Sequence, residues 1–121
     1  MPRDSDIIDW AEAMNQVGGD RDFLDEVLRD LLTESDEAEA EMESAIKADD
    51  FACIKRAAHR IKGSAAYLCC NALRDVSLTL QDLGHEGEVK PSDGLMDDIR
   101  KNFETFRHCL QDLKEEIHKR K

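Results

Sequence analysis

The sequence predicts an all-α protein: an antiparallel, up-down-up-down four-helix bundle with a short extra helix at its N-terminus. Apolar residues recur at steps of three and four along most of the 121 residues, which is the period of an α-helix. No segment alternates apolar and polar residues in the way that marks a half-buried strand. The two prolines, Pro2 and Pro91, leave a long interior free of helix breakers, and short loops between long amphipathic helices favour antiparallel neighbours.

The first part of the chain predicts one short helix and one long helix. Residues 5–17 have apolar side chains at helical spacing, and we expect Gly18-Gly19 to end this short helix. Asp20 is a suitable N-cap for the second helix, because its carboxylate can accept hydrogen bonds from the first free backbone N–H groups. The apolar steps of the second helix continue to Ile46.

The rest of the chain predicts three more helices. The third spans about 49–68 and is opened by a pair of aspartates, and the fourth begins near Leu73. We expect Gly84 and Gly87 to end the fourth helix. A turn at 91–94 precedes the last helix. Its apolar seam consists of Leu95, Ile99, Phe103, Phe106, Leu110, Leu113 and Ile117.

Length and composition predict a single domain, residues 1–121, and exclude several classes of protein. The net charge of −11 would repel a phosphate backbone, so we expect no nucleic-acid partner. No segment is long and apolar enough to span a membrane, and the N-terminus lacks the apolar region of a secretory signal. We therefore expect a cytoplasmic protein, also nuclear if the source is eukaryotic. The cysteines form no C-x-x-C pair, so we expect reduced thiols, no metal and no cofactor. No surplus apolar helix face requires a dimer, and we expect a monomer.

The charges are distributed unevenly along the chain. Residues 1–50 contain 17 acidic and 4 basic residues, whereas residues 51–74 contain no acidic residue at all. The basic residues of this second segment are Lys55, Arg56, Arg60, Lys62 and Arg74. An acid-free helix in an acidic protein favours a site that meets an anion, and an ordinary solvated charged face is the alternative.

His59 lies within this acid-free helix. At about 100° per residue, His59 points roughly 140° away from the mean apolar direction, and Gly63 roughly 180° away. The imidazole is therefore expected on the outside of the bundle. A glycine inside a helix costs about 0.5–1 kcal/mol relative to alanine, so Gly63 suggests that another molecule must approach the ring. Lys62 lies close enough to neutralise a group attached to His59. An exposed nucleophilic nitrogen, a cation and a cleared approach suit phosphoryl transfer.

The segment from His59 to Ala65, H-R-I-K-G-S-A, closely resembles a motif of histidine-containing phosphotransfer (HPt) domains of two-component phosphorelays, A-H-x-x-K-G-S-[SA]-A. The likeness extends upstream over 17–20 and downstream over 80–84, in the helix order of that family. The resemblance implies that His59 is the phosphoacceptor, that Lys62 counters the phosphoryl charge and that Gly63 admits the partner. Ser64, the motif serine, would support helix packing or hydrogen bonding.

The resemblance also implies a second residue beside the histidine and a set of partners. Gln81 matches a glutamine that hydrogen-bonds the histidine or its phosphate in several family members, and a solvated surface glutamine is the alternative. His85 stands where some relatives have an arginine. The implied partners are receiver domains of response regulators and of hybrid sensor histidine kinases, which would supply the magnesium. Candidate docking residues, for which core packing is the alternative, are Ile7, Ile8, Trp10 and Met14.

Three other functions compete with that of a phosphocarrier. The sequence has no nucleotide-binding motif, which argues against an enzyme in its own right. A di-iron bundle needs two Glu-x-x-His motifs and two further glutamates, whereas this chain offers one clear match, from Glu115 to His118. The third interpretation is a non-phosphorylated helical adaptor that binds receiver or kinase domains. The intact His59, Lys62 and Gly63 argue against it.

Overall fold

The computed structural model describes residues 4–120, so Pro2 lies outside it. Within this range there are six helices and no strand, and the predicted all-α bundle with an N-terminal extension is confirmed. The bounds are α1 Asp4–Ile7, α2 Trp10–Gln16, α3 Arg21–Lys47, α4 Phe51–Tyr67, α5 Asn71–Val89 and α6 Leu95–Lys119. Helices α3 to α6 form the bundle, in which each packs against its neighbour in the chain and α6 closes against α3.

The core lies along the bundle axis and is built from the apolar positions that the helical period selects. The largest side chains that are fully buried in it are Phe106, Ile8, Leu24, Leu28, Leu31, Met42, Ile54, Ile61, Leu73, Leu80, Ile99 and Leu113. Burying a side chain of this size contributes roughly 1.5–3 kcal/mol of hydrophobic free energy, so these side chains together dominate the stability of the bundle. No helix among the described residues combines the length and apolar character needed to cross a membrane.

The N-terminal segment differs from the prediction, because its single expected helix is broken into α1 and α2. Asp9 sits at the break in an extended conformation, and its carboxylate caps α2 by accepting from the N–H of Glu12 at 3.2 Å. The N–H of Asp9 donates to the carbonyl of Cys69 at 3.0 Å, which ties the break to the loop after α4. The apolar spacing does not reveal this break, because Ile8 would be buried in one continuous helix and is also buried between the two helices.

The remaining connections follow the local signals in the sequence. Asp20 and Asp50 cap α3 and α4, and each carboxylate accepts a backbone N–H at 3.1 Å. The loop between α4 and α5 turns at Cys69, which has a φ of 58°. Gly94 precedes α6 with a φ of 80°, a left-handed conformation that glycine adopts without steric cost.

Gly84 and Gly87 do not end the fourth predicted helix, which continues to Val89. Both are buried against α4. A Cβ on Gly84 would lie 2.9 Å from the backbone nitrogen of Lys55, and a Cβ on Gly87 would overlap the ring of Phe51. The prediction was wrong because these glycines serve close helix packing. Gly84 lets the two backbones approach each other, and Gly87 makes room for the ring of Phe51.

Candidate functional site

His59 lies on the outer face of α4. His59 and Gly63 are exposed on this face. The opposite face of the helix is buried and consists of Ile54, Ala57, Ala58, Ile61 and Ala65. The helical period places these residues, because positions on the core side recur at three- and four-residue steps while His59 falls between them. The imidazole is therefore available to another molecule.

Gln81 on α5 holds one edge of this imidazole. Its Oε1 lies 3.1 Å from Nδ1 of His59, across the tightly packed α4–α5 interface. An amide oxygen only accepts hydrogen bonds, so Nδ1 carries the proton and donates it to Gln81. The unprotonated nitrogen of this tautomer is Nε2, whose lone pair lies on the opposite edge of the ring. A hydrogen bond of this kind selects the tautomer and orients the ring.

An open groove between α4 and α5 contains this pair. Its volume is about 690 Å³. The lining residues are Lys55, Arg56, His59, Arg60, Gln81, Asp82 and His85. Asp82 supplies the single carboxylate of that lining, against three permanent cations, so the groove favours an anionic occupant.

Not all of these cations are free to meet an anion. Nζ of Lys55 lies 2.6 Å from a carboxylate oxygen of Glu88 on α5, and the guanidinium of Arg60 lies 2.7 Å from Glu41 on α3. Lys62 is half-buried and, within the described residues, has no carboxylate partner. Its charge is thus not neutralised by the chain itself.

Gly63 lies one turn after His59 and faces open space. A Cβ built at this position would meet no heavy atom within 4 Å, so the packing of the chain itself does not require a glycine here. Gly63 and Ser64 line a second groove of about 340 Å³ between α3 and α4. Tyr67, one turn further along, is 46% exposed in the same groove, and its hydroxyl donates to the carbonyl of Gln16 at 3.0 Å. The apolar spacing of α4 does not single out this exposed aromatic residue, which lies one turn beyond Gly63.

The expected docking residues of the N-terminal segment lie in different surroundings. Ile8 is only 1% exposed and is a core residue, so it was wrong as a surface contact. Trp10 packs on α6, with its ring 4.5 Å from the guanidinium of Arg120 and its indole N–H 3.5 Å from Glu116. Ile7 and Met14 are half-buried against the core.

The other candidate chemistry is not assembled in the described part of the chain. Residues 4–120 contain no group of three or more histidine, cysteine, aspartate or glutamate side chains placed to hold a metal ion. Glu115 and His118 therefore belong to no such group. The cysteines are free thiols. Burial raises the pKa of the Cys70 thiol to about 12, which keeps it protonated in the core.

Comparisons with known proteins find similar sequences and a similar fold. The family model described as the Hpt domain matches residues 26–118. The phosphorelay intermediate protein rdeA of Dictyostelium discoideum is 27% identical over 112 residues, which are 92% of this chain. This chain spans 42% of the length of that relative. The crystal structure of histidine-containing phosphotransfer protein B (HptB) from Pseudomonas aeruginosa superposes with a TM-score of 0.62 over 90% of this chain and 96% of that one, at 17% identity.

The match to the family model extends from α3 to α6 and includes both residues of the His59–Gln81 contact. The solved structure independently has the same helical fold, which the sequence predicted from apolar spacing alone. The chain belongs to the Hpt domain family.

Proposed function

We propose that this chain is a phosphorelay intermediate: His59 accepts a phosphoryl group from the phospho-aspartate of one receiver domain and passes it to the aspartate of another. The observation that carries this proposal is the 3.1 Å contact between Nδ1 of His59 and Oε1 of Gln81 on an exposed helix face. It leaves Nε2 as a free nucleophile.

The transfer step balances without a proton leaving the site. The lone pair on Nε2 attacks phosphorus, a P–N bond forms, and the P–O bond to the receiver aspartate breaks so that the aspartate departs as a carboxylate. The ring becomes a phosphoimidazolium that keeps its proton on Nδ1, where Gln81 continues to accept it. The amide is neutral, so it orients the ring without adding negative charge beside the phosphoryl group. Return of the phosphoryl group to another carboxylate reverses these steps.

Lys62 and Gly63 assist this step in different ways. The ammonium of Lys62, three residues after His59, can counter the charge on the phosphoryl oxygens, because residues at this spacing are neighbours on a helix surface. Gly63 leaves the approach to Nε2 clear, so the receiver can bring its aspartate into line with the ring nitrogen. Phosphoryl transfer depends mainly on this positioning and charge neutralisation.

The proposed partners are receiver domains of response regulators and hybrid sensor histidine kinases. The receiver would bring its own magnesium, and the chain would act as a stoichiometric phosphocarrier without a cofactor. Its net charge of −11 supports the absence of a nucleic-acid partner. We further propose that the chain forms a single domain, which the one continuous core of the described helices supports, and that it is monomeric.

The test is transfer of labelled phosphate from a phosphorylated receiver domain to wild-type protein, His59→Gln and His108→Gln. His108 is an exposed residue of α6 outside both grooves, so its replacement is a matched control. We expect an acid-labile, alkali-stable label on the wild type and on His108→Gln, and none on His59→Gln. Absence of label from the wild type with several receivers, combined with stable binding of those receivers, would indicate the adaptor instead. Equal labelling of all three proteins would show that His59 is not the acceptor.

A further inference from the structure

The cations nearest to His59 on α4 fall into two pairs. Lys55 and Arg60 are held by carboxylates of the flanking helices at 2.6 and 2.7 Å. Arg56 and Lys62 have neither an ion pair nor a side-chain hydrogen bond among residues 4–120. The sequence shows five equivalent basic residues in this segment. In the folded protein, carboxylates on α5 and α3 pair with Lys55 and Arg60, and Arg56 and Lys62 remain available to bind an anion.

Arg56 and Lys62 flank His59 symmetrically. They lie three residues before and three residues after it, so each is about one turn away and about 60° to either side of it around the helix. Side chains at this spacing are neighbours on the helix surface. Arg56 lines the α4–α5 groove together with His59 and Gln81, whereas Lys62 does not.

We propose that Arg56 is a second phosphoryl-binding, catalytic residue, which contacts the oxygens of the group on Nε2 of His59 from the side opposite Lys62. This inference rests on the proposed function of His59. A guanidinium is permanently charged and presents two parallel N–H donors that match two phosphoryl oxygens, whereas an ammonium acts as a point charge. Arg56 therefore orients the phosphoryl group as well as neutralising it.

The other charged groups of the groove leave this role to Arg56. The guanidinium of Arg60 is held toward α3 and partly neutralised by Glu41 at 2.7 Å, whereas Arg56 has no such partner among residues 4–120. The carboxylate of Asp82 would repel an anion bound in the groove, so a cation without an ion-pair partner is needed to offset that repulsion. His85 is also in the lining, but an imidazole lacks the two parallel N–H donors of a guanidinium.

The test measures the phosphorylation rate of wild type, Arg56→Gln, Arg56→Lys and Arg60→Gln. Arg60→Gln is the matched control, because it removes the same charge from the next turn of the same face. Each protein is phosphorylated by a receiver domain and, separately, by phosphoramidate, a small donor that needs no protein docking. Since a charge-assisted hydrogen bond contributes more than a neutral one, we expect Arg56→Gln to lower the rate about tenfold with both donors. Arg56→Lys should recover part of the loss, and Arg60→Gln should change the rate less than twofold.

Three results would overturn the role of Arg56. An unchanged rate for Arg56→Gln, or an equal loss in Arg60→Gln, would show that Arg56 is an ordinary solvated cation. A loss with the receiver and none with phosphoramidate would make it a docking residue that does not touch the phosphoryl group. Because the wild type is labelled in all three cases, the function proposed for His59 would stand. A wild type that accepts no label from either donor would instead contradict the proposed function itself. Unfolding midpoints within error of the wild type show that each variant is folded.

Discussion

Replacing Gly63 with alanine should separate the stability of this chain from its function. The position is helical and exposed, and a Cβ there meets no heavy atom within 4 Å. Alanine is favoured over glycine in a helix interior by about 1 kcal/mol, because glycine loses more backbone entropy on folding. With no clash to offset this gain, Gly63→Ala should raise the free energy of unfolding by up to about 1 kcal/mol. For a domain of this size that corresponds to roughly 3–6 °C in Tm.

The same methyl group should impair phosphoryl transfer. It stands one turn from His59 on the side from which we propose that the receiver approaches. Since the group adds about 1.5 Å of bulk beyond Cα, a docked partner would have to shift by a comparable distance. A misplacement of about 1 Å between reacting groups can lower a rate about a hundredfold. We expect transfer from a receiver domain to fall between about tenfold and a hundredfold, while phosphorylation by phosphoramidate changes little.

Gly84→Ala is the matched control for stability. Its Cβ would lie 2.9 Å from the nitrogen of Lys55 and 3.0 Å from the carbonyl oxygen of Phe51, and neither backbone atom can move without separating α4 from α5. Overpacking of this kind costs about 1–3 kcal/mol. Urea unfolding followed by circular dichroism measures both variants, and rapid-quench labelling measures transfer. A destabilised Gly63→Ala, or a Gly63→Ala that accepts phosphate from the receiver at the wild-type rate, would refute the reasoning.

Three further predictions concern single side chains. Gln81→Ala should slow labelling of His59 about fivefold, because a neutral hydrogen bond contributes roughly 1 kcal/mol, and an unchanged rate in rapid-quench assays would exclude a positioning role. Burial raises the pKa of Cys70 from 9.0 to about 12, so the folded state holds this proton more tightly than the unfolded chain. The contribution of Cys70 to the urea midpoint should accordingly be constant below about pH 9 and be lost as the pH rises towards 12, so the midpoint of the wild type should fall more steeply over this range than that of Cys70→Ala; equal slopes would contradict this cause. Asp50→Ala removes the N-cap that accepts from Cys53 at 3.1 Å and should lower the free energy of unfolding by about 1 kcal/mol, measured in urea, while Asp50→Asn retains most of it.

Local patterns in the sequence determine the fold class and the orientation of His59. The three- and four-residue spacing of apolar side chains specifies the helices, and the same spacing places His59 on the outer face of α4. The acid-free segment and the motif around it single out this helix. These features depend on residues within a few turns of one another, so they can be read along the chain.

The tertiary structure decides what surrounds His59. Gln81 is 22 residues away in the sequence, and its 3.1 Å contact exists because Gly84 and Gly87 let α5 approach α4 closely. The helical pattern does not distinguish a glycine that ends a helix from one that packs against a neighbour, which is why these two were misread. The availability of Arg56 is likewise decided by the tertiary structure, because the carboxylates that pair with Lys55 and Arg60 come from α5 and α3. Pairing between distant helices depends on their packing in three dimensions, and that packing cannot be inferred from the spacing of residues on one helix.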